Sequence, residues 1–180
     1  LAMAKPDGYT LGYANLPTAI TIYGDPDRKP AFGRKDIQPV AMHVLDPLAI
    51  GVKADSPYKS IKDLVEASKA SPDKIKVAVG GQLGPEHFAW LQLNKQAGAK
   101  FNVVVFDGGA QALTAVLGGH VDALCVGFSG LLGPAKSGQI RILASMEKEA
   151  KDFLPDIQTM DDQGYKGFYG MTRCWFVPAG

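Results

Sequence analysis

Cysteine is scarce in this chain: Cys125 and Cys174 are the only two among 180 residues. Neither stands at metal-ligand spacing or beside a histidine that could activate a thiolate, so both read as buried free thiols. A disulfide between them would need Cα atoms within about 7 Å, which their places along the chain do not decide. Histidine is nearly as sparse. His43, His87 and His120 fall on separate elements, and no Cys-x-x-Cys or His-x-x-x-His pattern occurs, so neither a metal nor a cofactor is expected. Long apolar runs are missing too: stretches such as Val103–Phe106 and Ala123–Val126 are far below the roughly 20 residues of a membrane-crossing helix. No charge sign dominates, with 19 Lys and Arg against 18 Asp and Glu spread along the chain. That balance argues against nucleic acid or a membrane surface as partner. The G-x-G-x-x-G and G-x-x-x-x-G-K-[ST] loops are both absent, which excludes Rossmann and P-loop readings.

An enzyme needs a nucleophile with a base in reach, or paired carboxylates in a cleft. Ser129 lies in Gly127-Phe128-Ser129-Gly130, which lacks the G-x-S-x-G elbow. Asp107 before Gly108 is either a general base or a turn former. No catalytic residue is expected. The opening Leu1-Ala2-Met3-Ala4-Lys5 is not a charged-then-apolar leader and starts without Met, so it leaves the compartment open.

What the chain does have is an α/β rhythm punctuated by glycine. The pattern predicts strands at Tyr9–Ala14, Val40–Val44 and Leu48–Val52, a short helix at Pro17–Tyr23, and an exposed loop over Gly24–Lys35. Asp46-Pro47 interrupts the strands and suits a crossing between lobes. Ser60-Ile61-Lys62-Asp63 opens a helix with a capping box and ends near Ser71-Pro72. Then strands Ile75–Val79, Phe101–Phe106, Val121–Val126 and Ile140–Ala144 alternate with helices Pro85–Ala97, Ala110–Leu117 and Leu131–Ser137. Such alternation predicts βαβ units in a mainly parallel sheet buried on both faces. Met146–Asp162 reads as charged and irregular, and Trp175–Val177 as a last strand.

Three glycine-rich loops follow apolar strands and lead into helices: Gly80-Gly81-Gln82-Leu83-Gly84, Asp107-Gly108-Gly109 and Gly127-Phe128-Ser129-Gly130. They fall beyond the carboxyl ends of the strands, where ligands of open α/β sheets sit. Bare backbone N–H groups at a helix start, on the positive end of the dipole, suit a small anion, although such loops also serve simply as tight turns. His87 either points toward the site or braces the loop, with bracing favoured, and His120 reads as solvated.

Lys5-Pro6-Asp7-Gly8-Tyr9-Thr10-Leu11, the run Gly84–Ala89, Ala112-Leu113-Thr114 followed by Leu117–Asp122, and the late Leu154-Pro155-Asp156 and Pro178-Ala179-Gly180 together resemble one family over essentially the whole chain. It is the solute receptors of tripartite tricarboxylate transporters, often called the Bug family. The resemblance implies a periplasmic-binding-protein type 2-like fold with two lobes, here truncated at both ends. Residues 1–46 and 147–180 would form a partial first lobe and 47–146 the second, with hinges at Asp46–Ala49 and Ser145–Glu147. It further implies capture of a small organic carboxylate in the cleft between lobes, and delivery to membrane transporter subunits from the periplasm. Carried onto this chain, ligand contacts fall on Tyr13, Asn15 and Thr18 in the first lobe. In the second they fall on Gly81, Gln82 and Gly84, on Phe106, Asp107, Gly108, Gly109 and Ala110, and on Phe128 and Ser129. Relatives often have Ser where this chain has Val79, Gly84 and Gly109, and Asp where it has Val126. A less hydroxylated, aromatic or simpler acid is therefore expected, walled by Phe106, Phe128 and Tyr13. The alternatives are a receptor of an ATP-driven importer for another anion, favoured by an Arg or Lys in the cleft, and a small α/β enzyme using Asp107 or His87.

Overall fold

The computed structural model describes residues 1–16, 19, 22 and 29–180. The short helix expected over 17–23, Ala19 and Ile22 apart, the start of the expected loop at 24–28, and the candidate Thr18 lie outside the described residues. Eight strands are described: β1 (Gly12–Asn15), β2 (Ile37–Asp46), β3 (Leu48–Lys53), β4 (Lys76–Val79), β5 (Asn102–Val105), β6 (Ala123–Gly127), β7 (Ile140–Ser145) and β8 (Met171–Pro178). Four α-helices lie wholly within the described residues: α1 (Ile61–Ala70), α2 (Pro85–Ala97), α3 (Gly109–Leu117) and α4 (Phe128–Lys136). The chain divides into two compact units, Leu1–Asp46 with Met171–Gly180, and Pro47–Gly170.

In the second unit five strands form one sheet in the order β5-β4-β6-β3-β7. β4 pairs in parallel with β5 and β6, while β3 runs antiparallel to both β6 and β7. Four strands thus share a direction and β3 alone opposes them, so the expected mainly parallel sheet is present with one reversed strand. Leu48, Ala49, Ile50, Val77, Ala78, Val79, Ala123, Leu124 and Cys125 are all fully buried, as strands covered on both faces should be.

The helices begin and end where local chemistry allows. Ser60 Oγ accepts the Asp63 N–H at 3.1 Å and Asp63 Oδ2 accepts the Ser60 N–H at 3.0 Å, closing the predicted capping box; α1 then buries Ile61, Leu64 and Val65. Pro85 occupies the first turn of α2, where its missing N–H costs nothing, and Gly98 ends the helix at φ +64°. On its inner face Trp90 is fully buried against Phe101, ring centroids 5.1 Å apart. Opposite the glycine loops, Arg141 on β7 donates to three carbonyls of the segment between β3 and α1: Ala54 at 2.7 Å, Ser56 at 3.1 Å and Tyr58 at 3.1 Å.

Residues 147–170, expected with the first lobe, belong instead to the second unit. Side chains bind them there. Gln163 donates to Leu143 O at 2.8 Å and accepts the Ile61 N–H at 3.0 Å, while Gln92 and Gln96 on α2 donate to carbonyls at Lys166 and Gly167. Ser145 also bridges Thr159 in parallel.

The first unit holds a three-stranded sheet ordered β1-β8-β2, antiparallel throughout. Tyr13 lies opposite Trp175, and their rings meet at 4.7 Å. Cys174 lies on β8 and Cys125 on β6; both are buried free thiols, as the sequence suggests.

Candidate functional site

Parallel pairing brings the ends of β4, β5 and β6 to one edge of the sheet: Val79 is in register with both Val105 and Cys125. The loops that follow these strands therefore adjoin. A Cβ at Gly80 would lie 2.7 Å from Gly109 N and 3.0 Å from the Gly108 carbonyl carbon, so the first two loops touch backbone to backbone. A Cβ at Gly109 would in turn lie 3.3 Å from Val126 Cγ1, at the end of β6. Of the candidate residues, Gly109 is thus seated directly between the first loop and the third. Gly108 needs to be glycine for another reason, its φ of +125°.

The three helix starts at this edge are not equivalent. The first N–H groups of any helix lack an intrahelical acceptor. In α3 these belong to Gly109, Ala110 and Gln111, and the first turn carries no acidic residue to compete for the dipole. In α2 the first position is Pro85, which has no N–H, and Glu86 follows in the first turn. In α4 the first N–H, that of Phe128, donates to Pro47 O at 2.7 Å. The start of α3 is the most open to an anion.

Around it, side chains shape the loops more than they decorate them. Gln111 Oε1 accepts the Asp107 N–H at 3.2 Å, tying the loop to the helix it introduces. Gln at this place resembles the reaching-back member of a capping box, the one signal in the sequence that could have revealed it. His87 Nδ1 accepts the Leu83 N–H at 3.2 Å, so the imidazole braces the first loop, as favoured from the sequence. Leu83 itself stands at φ +54°, unusual for a residue with a side chain. Burial pushes the His87 pKa below 6.5, favouring the neutral ring that this acceptor role requires.

The other candidates separate by environment. Gln82, Asp107, Ala110 and Ser129 are exposed, Gly81 and Phe106 half-buried, and Gly84 buried. Phe128, expected as a ligand wall, is only 3% exposed; it belongs to the apolar core with Ala112, Leu124 and Leu131 and meets Phe153 at 6.2 Å. α4 starts at Phe128, three residues earlier than expected, which sets that ring among core side chains. In the first unit, Tyr13 Oη lies 2.9 Å from His43 Nδ1 and its ring packs on Trp175; Asn15 is paired with Arg173. No local pattern announces the Tyr13–His43–Trp175 cluster, since cross-strand register creates it.

Reactive groupings are missing among the described residues. No hydrogen bond joins Asp107 to His87, or either to a hydroxyl or thiol, and no three His, Cys, Asp or Glu side chains gather as a metal site. Burial pushes the Cys125 thiol well above its ordinary pKa, with Glu86 adding to the effect, so it is a poor nucleophile. No helix among the described residues is long and apolar enough to cross a membrane.

Comparison with known proteins identifies the family. A protein of Bordetella bronchiseptica described as a UPF0065 protein is 32% identical over 162 residues, covering 90% of this chain and 48% of its own length. The chain thus spans about half the length of such curated relatives. Among solved structures, the periplasmic binding protein BugD is 30% identical with a TM-score of 0.84, over 99% of this chain and 60% of that one. MatC from Rhodopseudomonas palustris, solved with bound malate, is 26% identical with a TM-score of 0.86, over 99% of this chain and 61% of that one. The sequence profile described as "Tripartite tricarboxylate transporter family receptor" matches residues 1–179, and the chain belongs to that family.

Proposed function

We propose that this chain is the ligand-binding part of a periplasmic receptor that captures a small organic carboxylate and delivers it, unchanged, to a tripartite tricarboxylate-type membrane transporter. The observation that carries the reading is the meeting of Gly80 with Gly108 and Gly109 at the open start of α3. The ligand carboxylate accepts N–H bonds from Gly109 and Ala110, with the Gly80–Gly84 loop alongside. Main-chain donors there are fixed before the ligand arrives, so little ordering opposes binding. The malate bound to MatC supports a carboxylate as the ligand class.

The rim is poor in hydroxyls, with Val79, Gly84, Gly109 and Val126 at positions that could have carried them. Fewer side-chain donors favour an acid with fewer polar groups, with the half-buried Phe106 as an aromatic candidate in the second unit. Calorimetric titration of the full-length receptor with benzoate, succinate and malate, with the acids recovered and checked by NMR, tests both levels. Saturable binding of an unaltered acid is expected, benzoate above malate. Conversion of the acid, or no binding by any of the three, overturns the receptor reading; malate far tighter than benzoate overturns only the preference.

A further inference from the structure

We infer that His87 is a positioning residue for ligand capture: its neutral imidazole holds the Gly80–Gly84 loop in the shape that completes the carboxylate site, without touching the ligand. The inference rests on the receptor reading above and goes further by assigning that site a residue that acts through another.

Three observations converge on it. Leu83 adopts φ +54°, a conformation that a Cβ-bearing residue holds only when its surroundings impose it. Among its surroundings is His87, four residues on and in the first turn of α2, whose Nδ1 accepts the Leu83 N–H. The loop so held is not isolated, since Gly80 at its head lies against Gly108 and Gly109 at the start of α3. A change at Leu83 therefore reaches the amides proposed to bind the carboxylate through a few residues of closely packed backbone. The bond also fixes the ring: Nδ1 accepts, so Nε2 carries the proton, and adding a second proton to the ring removes the acceptor.

This role and direct contact with the ligand differ in sign. An imidazolium touching a carboxylate would strengthen binding as pH falls, whereas an imidazole that must stay neutral to hold the loop makes binding weaken. Glu86, next to His87 on α2, acts on the Cys125 thiol of β6, and both groups remain in a His87→Asn variant. That substitution preserves the acceptor while removing the titration. The amide Oδ1 it introduces occupies nearly the place of Nδ1 on the side chain and accepts a hydrogen bond at any pH near neutral.

The test uses the full-length receptor and calorimetric titration with benzoate, succinate and malate between pH 5 and 8. His87→Leu is expected to bind about tenfold more weakly at pH 8, the effect of losing the imidazole's hydrogen bond to the loop. His87→Asn is expected to bind within about twofold of wild type at pH 8 and to lose the acid-side weakening that wild type shows. Where His87→Leu fails to fold, the sign of the wild-type pH profile and its flattening in His87→Asn decide the matter. Binding that strengthens toward pH 5 in wild type, or that is unaffected in His87→Leu, overturns this inference alone. Failure of wild type to bind any of the three acids overturns the receptor reading and this inference with it.

Discussion

The starts of α3 and α4 look alike in the sequence, each a glycine-bearing turn after an apolar strand, yet the structure uses them differently. At α3 the glycines are forced: Gly108 stands at φ +125°, and Gly80 and Gly109 lie against neighbouring backbone and Val126. At α4 the first N–H is already occupied by Pro47 O, Phe128 is sunk into the core, and a Cβ at Gly130 or Gly133 would meet nothing within 4 Å. Two positive helix ends on one sheet therefore differ in what they offer: the first N–H of α4 is spent on Pro47 O, while the start of α3 is shaped by glycines packed against backbone.

Substitution at the two helix starts should pull them apart. The largest effect is expected for Phe128→Ala, which empties a core position and should lower stability by about 3–5 kcal/mol in chemical denaturation. Its influence on carboxylate affinity, measured well below the unfolding transition, should stay small. Gly108→Ala should lose about 1–3 kcal/mol of stability, because alanine is strained at that φ, and should weaken carboxylate binding as well. If Gly108→Ala leaves affinity intact, the distinction drawn between the two helix starts fails. Gly130→Ala, by contrast, should stabilise the protein by about 0.5–1 kcal/mol through better helix propensity and leave binding unchanged.

Much of this distinction lay beyond the reach of sequence patterns. The elements themselves were legible where local chemistry defines them: the Ser60–Asp63 capping box, Pro85 opening and Gly98 closing α2, and the glycine turn before α3. Also legible was the convergence of the loops, since parallel strands place their carboxyl ends together. The reversal of β3 was not, because strand direction depends on partners rather than on the strand's own residues. Nor was the inward turn of Phe128, where an aromatic beside glycines reads equally as wall or core. Residues 147–170 have no apolar period, and long-range bonds from Gln163, Gln92 and Gln96 place them.

Titration gives the smaller contrasts. Folding lowers the pKa of His87 below 6.5, so the folded state binds fewer protons there than the unfolded chain. Stability from this group is thus fully present above pH 6.5 and declines as pH falls below it. His87→Asn should flatten that part of the stability curve in pH-dependent urea unfolding. Smallest of all is the effect at Asp162. The Lys151 ammonium, together with the Thr159 N–H and hydroxyl, lowers its pKa from 3.8 to about 2. Its contribution is present above pH 3.8 and disappears as pH drops toward about 2, so Asp162→Asn should blunt only the most acidic limb of unfolding.

Arg141 gives the second unit an end that does not need to change. One guanidinium gathers three carbonyls of the segment between β3 and α1 and so anchors the entry to α1 at the end of the sheet away from the glycine turns. Side-chain stitching and glycine turns thus occupy opposite ends of one sheet, so substitution in the turns leaves the stitching untouched.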